Sequence, residues 1–240
     1  MMQIQNNSFN IYYLSEQAIT IAFGDAISES LQQLVSRFNN HIHQHPFPGF
    51  RTTVAAYTTL TVFFDPLQVI ASALWGNNCF DKVCNYIQAI ELDSTQHQDL
   101  HNSAITIPVC YGGPFGPDID EVVQLHHLTT QEIINLHSAA IYTVYMIGFV
   151  PGFAYLGGMD NQLATPRKPT PRAAVPAGAV GIAGEQTGIY PLETPGGWQI
   201  IGQTPLRMFD AHHTQPALLK AGDRVKFEPI TQQEFANYSA

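Results

Sequence analysis

From Ser28 onward, apolar residues recur at Leu31, Leu34, Val35, Phe38 and Ile42, one stripe of 3.6-residue period. Pro46, Pro48 and Gly49 end that helix. Before it, Tyr12 to Phe23 holds two short apolar runs that close at Gly24-Asp25. After it, Thr52–Ala56 and Leu60–Phe64 read as strands around a Tyr57-Thr58-Thr59 link, stopped by Asp65-Pro66. A second helical pattern covers Leu67 to Leu92, with Gly76-Asn77-Asn78 as an interruption. The order strand–helix–strand–strand–helix predicts a ferredoxin-like α/β sandwich over residues 1–95.

Asp93 to Ser103 is polar and aperiodic, which places a linker at 96–103 and a second domain over 104–240. That domain opens on the alternating strand Ala104–Cys110, followed by Tyr111-Gly-Gly-Pro-Phe-Gly-Pro-Asp118. Asp118 is positioned to cap a short helix carrying Val122, Val123 and Leu125. Thr129 with Glu132 has capping-box spacing for a second helix, which carries Ile133, Ile134 and Leu136 and ends near His137. Beyond Tyr142 the pattern is one of short strands between Pro/Gly turns: Tyr142–Phe149, Ala179–Ala183, Gln199–Ile201 and Arg224–Phe227. Such spacing predicts a β-barrel or sandwich. The fold class is therefore α+β.

Between Gly148 and Pro205 lie 11 of the 18 glycines and 8 of the 16 prolines. So many restricted backbones dictate turns that hold polar groups for a ligand or partner. Val150-Pro151-Gly152-Phe153 has type II turn chemistry, and Phe149, Phe153 and Tyr155 crowd the same corner as an apolar wall. Thr194-Pro195-Gly196-Gly197 reads as a second such turn, of structural use. Thr165 to Arg172 (TPRKPTPR) cannot be helical, and its prolines hold it nearly straight. Period-two geometry then puts Lys168 and Arg172 on one side and Arg167 on the other. Gly184-Glu185-Gln186-Thr187-Gly188 offers an acid, an amide and a hydroxyl, or simply a hairpin tip.

Charge sharpens one of these features. The net charge is −9, which argues against non-specific nucleic-acid binding. Residues 1–166 carry only three basic residues against 13 acidic ones, whereas Arg167, Lys168 and Arg172 fall within six positions. The cluster suits a carboxylate or phosphate; equally, it is a loop whose cations pair with nearby acids. Cys79, Cys84 and Cys110 read as buried reduced thiols. The ten histidines lack metal-site spacing, so no metal is expected; His137 alone stands out, just before the strand entering the Pro151 turn. No apolar run has membrane-spanning length and no signal segment is present, so a cytoplasmic protein without a membrane role is expected. GxSxG, Walker and GxGxxG signatures are missing.

The segments CYGGPFGPDIDEV, LHSAAIYTVYMIGFVPGFAYLGG, LATPRKPTPRAAVPAGAVGIAGEQTGIYP and TPGGWQIIGQTPLRMFD closely resemble the allophanate hydrolase subunit 1 / KipI family. The likeness spans nearly the whole chain. It implies a ferredoxin-like N-terminal domain followed by a cyclophilin-like β-barrel. It also implies a role as one component of a multi-subunit, ATP-dependent 5-oxoprolinase that hydrolyses 5-oxoproline to glutamate. ATP, with magnesium in the complex, would be a co-substrate rather than a tightly held cofactor. Two partner chains of that enzyme are implied. One is its C subunit, an allophanate hydrolase subunit 2-like chain that shares the active site; the other is its A subunit. Carried onto this sequence, the expected catalytic set is His137, Arg167, Lys168, Arg172 and Gln186. The expected substrate-binding set is Gly152, Phe153, Tyr155 and Thr187. The family also admits a KipI-like inhibitor of a sensor histidine kinase, and half of a urea carboxylase-type carboxyltransferase module.

Overall fold

The computed structural model describes residues 3–6, 9–26, 28–91 and 103–238. The chain forms two compact units, divided between Leu100 and His101. The linker expected at 96–103 lies outside the described residues, apart from Ser103.

The first unit is one antiparallel sheet with helices. Its elements are β1 (Gln3–Asn6), β2 (Phe9–Ser15), β3 (Ala18–Ala22), α1 (Glu29–Gln44), β4 (Phe50–Ala55), β5 (Thr59–Phe64), α2 (Pro66–Ala71) and α3 (Cys79–Gln88). The strand order is β1-β2-β3-β5-β4. Ser28 caps α1 by accepting from the Leu31 N–H at 3.2 Å. The predicted stripe is the buried one: Val35, Phe38 and Ile42 pack with Ile11, Ile19, Ile21, Leu60 and Val62. The second helical pattern is broken where the Gly76-Asn77-Asn78 interruption falls, because Asn78 starts α3 by accepting from the Asp81 N–H at 2.9 Å. Asp65 caps α2 in the same way. Among the described residues of this unit no strand follows α3; the position beside β3 is filled by β2 from the N-terminal side.

The second unit contains β6 (Ile105–Tyr111), α4 (Ile119–His126), α5 (Thr130–Ala139), β7 (Ile141–Ile147), β8 (Ala154–Gly157), β9 (Arg172–Val175), β10 (Ala179–Ala183), β11 (Gln186–Ile189), β12 (Thr194–Gly196), β13 (Gln199–Gln203), β14 (Arg224–Pro229) and α6 (Gln232–Tyr238). Seven strands close a barrel in the order β10-β11-β8-β7-β14-β6-β13, and β13 returns to β10. Every pairing in it is antiparallel except β14 with β6. Strand alternation fills the interior with Ile107, Val109, Val144, Leu156, Ile182, Ile201 and Phe227. Ile200, one residue from Ile201, joins a separate cluster with Phe153, Val175, Tyr190 and Trp198. The Thr129–Glu132 capping box of α5 is present. Among the described residues, no helix is long and apolar enough to cross a membrane, and the three cysteines are free thiols.

One expected turn and one expected straight segment came out differently. Thr194-Pro195-Gly196 is not a corner but strand β12, paired with β9. Gly196 is needed there because a Cβ would lie 2.3 Å from the Tyr190 hydroxyl. The arm from Thr165 to Arg172 is not straight: it bends at residues 169 and 170 before entering β9. Backbone bonds at both ends impose this path, Thr165 with Gly184 and Lys168 with Gly197.

One close approach sets up the site. A Cβ on Gly116 would sit 2.0 Å from the Ile201 carbonyl oxygen, so only glycine lets this loop lie against β13. There the Gly112 N–H donates to Ile201 O at 3.0 Å and the Asp118 N–H to Ile200 O at 2.9 Å. Gly116→Ala is expected to lower stability by about 2 kcal/mol or more, since backbone cannot yield as a side chain does. A urea denaturation midpoint equal to that of the unmodified protein would contradict this packing argument.

Candidate functional site

The Asp118 carboxylate is 1% exposed and lies at the centre of the cluster. Its position at the head of α4 suggests a helix cap, yet its side chain makes no cap hydrogen bond. Instead one oxygen accepts from Lys168 Nζ at 2.9 Å and from Arg172 Nη2, and the other accepts from the Ile200 N–H at 2.7 Å. Two cations and an amide outcompete the helix end for the same oxygens. Lys168 also pairs with Glu121 at 2.7 Å, and its Nζ lies 3.5 Å from Gln199 Oε1. Burial pushes the Asp118 pKa up, but the bonds from Arg172, Lys168 and Ile200 outweigh it and hold the carboxyl below its usual range. Of the two readings of the basic cluster, pairing with nearby acids describes Lys168 and Arg172. The pairing is incomplete: Arg172 Nη1 is buried with no hydrogen-bond partner among the described residues.

Arg167 takes the other direction, as alternation requires. Its guanidinium carbon lies 6.0 Å from the Trp198 ring centroid, and the residue is exposed. Trp198 belongs to an aromatic group centred on Phe153, whose ring is 5.4 Å from Trp198, 4.7 Å from Tyr155, 5.0 Å from Tyr190 and 5.7 Å from Phe149. Gly188 makes room for it, since a Cβ there would meet both Phe153 and Trp198 at 3.0 Å. The corner leading into this group is the expected turn: Gly152 has φ +82° and the Phe153 N–H donates to Val150 O at 3.1 Å. Phe149 is more unusual. It has φ +69° and is bridged by a Val150 N–H to Gly148 O bond of 2.9 Å, a strained three-residue turn that leaves the residue 62% exposed.

The remaining expected residues lie elsewhere. His137 and Thr187 meet inside the barrel, both fully buried. The Thr187 hydroxyl donates to Gly181 O at 3.0 Å, so it must accept from His137 Nε2–H at 2.9 Å. That leaves Nδ1 to accept from the Tyr111 hydroxyl at 2.7 Å. The imidazole also stacks on Phe227 with centroids 4.5 Å apart. Burial lowers its pKa to about 3, so it is neutral at physiological pH. Gln186 pairs with Ala183 across the β10–β11 hairpin, whose tip is Gly184-Glu185. The nine expected residues thus divide among an ionic hub (Lys168, Arg172), an aromatic face (Arg167, Gly152, Phe153, Tyr155), a hairpin (Gln186) and an interior pair (His137, Thr187). Asp118, Trp198 and Gln199 join them, and no local sequence signal marks these three as functional. Among the described residues, no group of three or more His, Cys, Asp or Glu side chains is placed to hold a metal ion.

This combination, a closed barrel with a proline-rich arm pinned over its flank by a buried carboxylate, can be compared with known proteins. Residues 9–219 match the family described as carboxyltransferase domain, subdomain C and D, and the chain belongs to that family. It is 42% identical over 231 residues to the 5-oxoprolinase B subunit of Bacillus subtilis (strain 168), covering 96% of each. It is 42% identical over 224 residues to the 5-oxoprolinase B subunit of Haemophilus influenzae, covering 91% of this chain and 96% of that one. Among solved structures, TTHA0988 superposes with a TM-score of 0.76 at 32% identity; the alignment covers 89% of this chain and 40% of that one.

Asp118→Ala is expected to cost about 3 kcal/mol, because it strands the half-buried Arg172 guanidinium and leaves the Ile200 N–H without its acceptor, while Lys168 keeps only Glu121. Limited proteolysis should then cut the 165–172 arm faster; an unchanged midpoint and digestion pattern would refute the hub. The two buried titrating groups act in different pH windows. Below about pH 6.5 an unfolded histidine takes up a proton that folded His137 refuses until about 3, so stability falls as pH falls across that window. The Asp118 contribution is lost lower, as pH drops below 3.8 and through its depressed folded value. His137→Gln should flatten the decline of Tm between pH 6.5 and 3; an identical decline in the variant would mean that His137 does not drive it.

Proposed function

We propose that this chain is the B subunit of a multi-subunit, ATP-dependent 5-oxoprolinase. The reading is supported above all by the 42% identity that runs end to end, over 96% of both lengths, with a protein bearing that name. In this reading the N-terminal unit is ferredoxin-like and the barrel cyclophilin-like. The active site is shared with the C subunit of the enzyme, an allophanate hydrolase subunit 2-like chain, and the A subunit completes the assembly.

The chemistry explains the need for ATP. A lactam resists attack by water because amide resonance must be broken. Transfer of the γ-phosphoryl group to the amide oxygen forms an O–P bond and releases ADP. Water then adds at the activated carbon, the C–N bond breaks with protonation of nitrogen, and the resulting acyl phosphate is hydrolysed by a second water to glutamate and phosphate. Such steps require cations and amide donors fixed before the reaction. The arm and the neighbouring hairpin supply donors of that type in Arg167 and Gln186, while Arg172 is tied to Asp118. Lys168 serves chiefly to hold the arm on Asp118 and Glu121.

The test is reconstitution. Mixed with the A and C subunits, this chain should support glutamate release from 5-oxoproline that requires ATP, and alone it should release none. An assembled three-chain mixture that forms no ATP-dependent glutamate would overturn the assignment.

A further inference from the structure

The arm carries three cations, but two are already committed. Lys168 and Arg172 are tied to Asp118, and Lys168 to Glu121 as well. Arg167 is exposed and, among the described residues, pairs with no carboxylate. It is nevertheless not loosely placed. On one side the Pro166 carbonyl accepts from Gln199 Nε2 at 3.4 Å, and on the other the Lys168 N–H donates to Gly197 O at 2.7 Å. Both neighbours of Arg167 are therefore fastened to the β12–β13 segment. Its side chain rests over Trp198, beside the Phe153–Tyr155 rings. A guanidinium held at both flanks and backed by aromatic rings loses little freedom when it binds, which is what an anion anchor requires.

We propose that Arg167 binds the carboxylate of the lactam substrate, with the ring of the substrate lying toward Tyr155 and Phe149. This rests on the functional reading above and adds to it which cation reads the substrate. A single uncommitted guanidinium matches one carboxylate in charge and in its planar, two-pronged shape. A triphosphate would draw on several cations, and here the other two already face acids. Arg167 is thus a binding residue that selects acidic lactams, whereas Lys168 and Arg172 position the arm.

The experiment uses the reconstituted three-chain enzyme. Arg167→Ala should raise KM for 5-oxoproline about 10- to 100-fold, the loss of a charge-assisted hydrogen-bonded pair, with KM for ATP unchanged. Arg167→Lys, which keeps the charge but not the fork, should fall between the two. Thermal melting of the isolated variants should match that of the unmodified chain, because the residue is exposed. An unchanged KM for 5-oxoproline overturns the assignment while leaving the functional reading intact. A rise confined to the KM for ATP also overturns it, by moving Arg167 to the phosphates. An unmodified complex without activity would remove both.

Discussion

A carboxylate taken out of water must be surrounded by donors, and the organisation of the loops in this protein follows from how Asp118 satisfies that demand. Its two oxygens accept hydrogen bonds from a lysine, an arginine and a backbone amide that come from two different stretches of chain. The pair interactions alone would contribute little if they were exposed. Buried, they make the conformation of the arm conditional on the loop before α4, on β13 and on β9 together. The Gly116 approach to Ile201 is the steric precondition: without it the carboxylate would stand too far from the strand to reach Ile200.

The barrel and its outer flank use alternation for different ends. Inward positions carry apolar side chains plus one polar chain, Tyr111–His137–Thr187–Gly181, in which each donor has a defined acceptor. A satisfied interior network of this kind fixes a tautomer and ties α5 to β6 and β11. Outward positions on β8 and β13 carry Tyr155 and Ile200, and with Phe153 and Trp198 they build the aromatic group under Arg167. The chain thus separates an uncharged interior from a flank where charge and rings meet.

Much of this is legible in the residues. The stripe of α1, the Asn78 restart of α3 and the Thr129 box are local signals, and local hydrogen bonds realise them. The different partners of Arg167 and Lys168 follow from period-two geometry, since both precede the bend at residues 169 and 170. The role of Asp118 is not legible, because its partners lie 50 or more positions away and the local pattern offers it an ordinary cap. For the same reason His137 reads as a reactive group: nothing near it in sequence discloses that Tyr111 and Thr187 enclose it. The Thr194-Pro195-Gly196 turn fails because Tyr190, not the local backbone preference, dictates the glycine there.

The parallel pairing of β14 with β6 has a temporal consequence. These are the last and first strands of the barrel, joined from Val225–Ile105 to Pro229–Val109. During synthesis the seam therefore stays open until the segment around Pro229 has emerged, and the edge of β6 waits unprotected through the making of more than a hundred residues. Closure is thus a late event of this unit, followed by the docking of α6, whose Phe235 ring lies 4.5 Å from Phe115, and shortening the chain ahead of β14 is expected to leave an unzipped sheet rather than a smaller barrel.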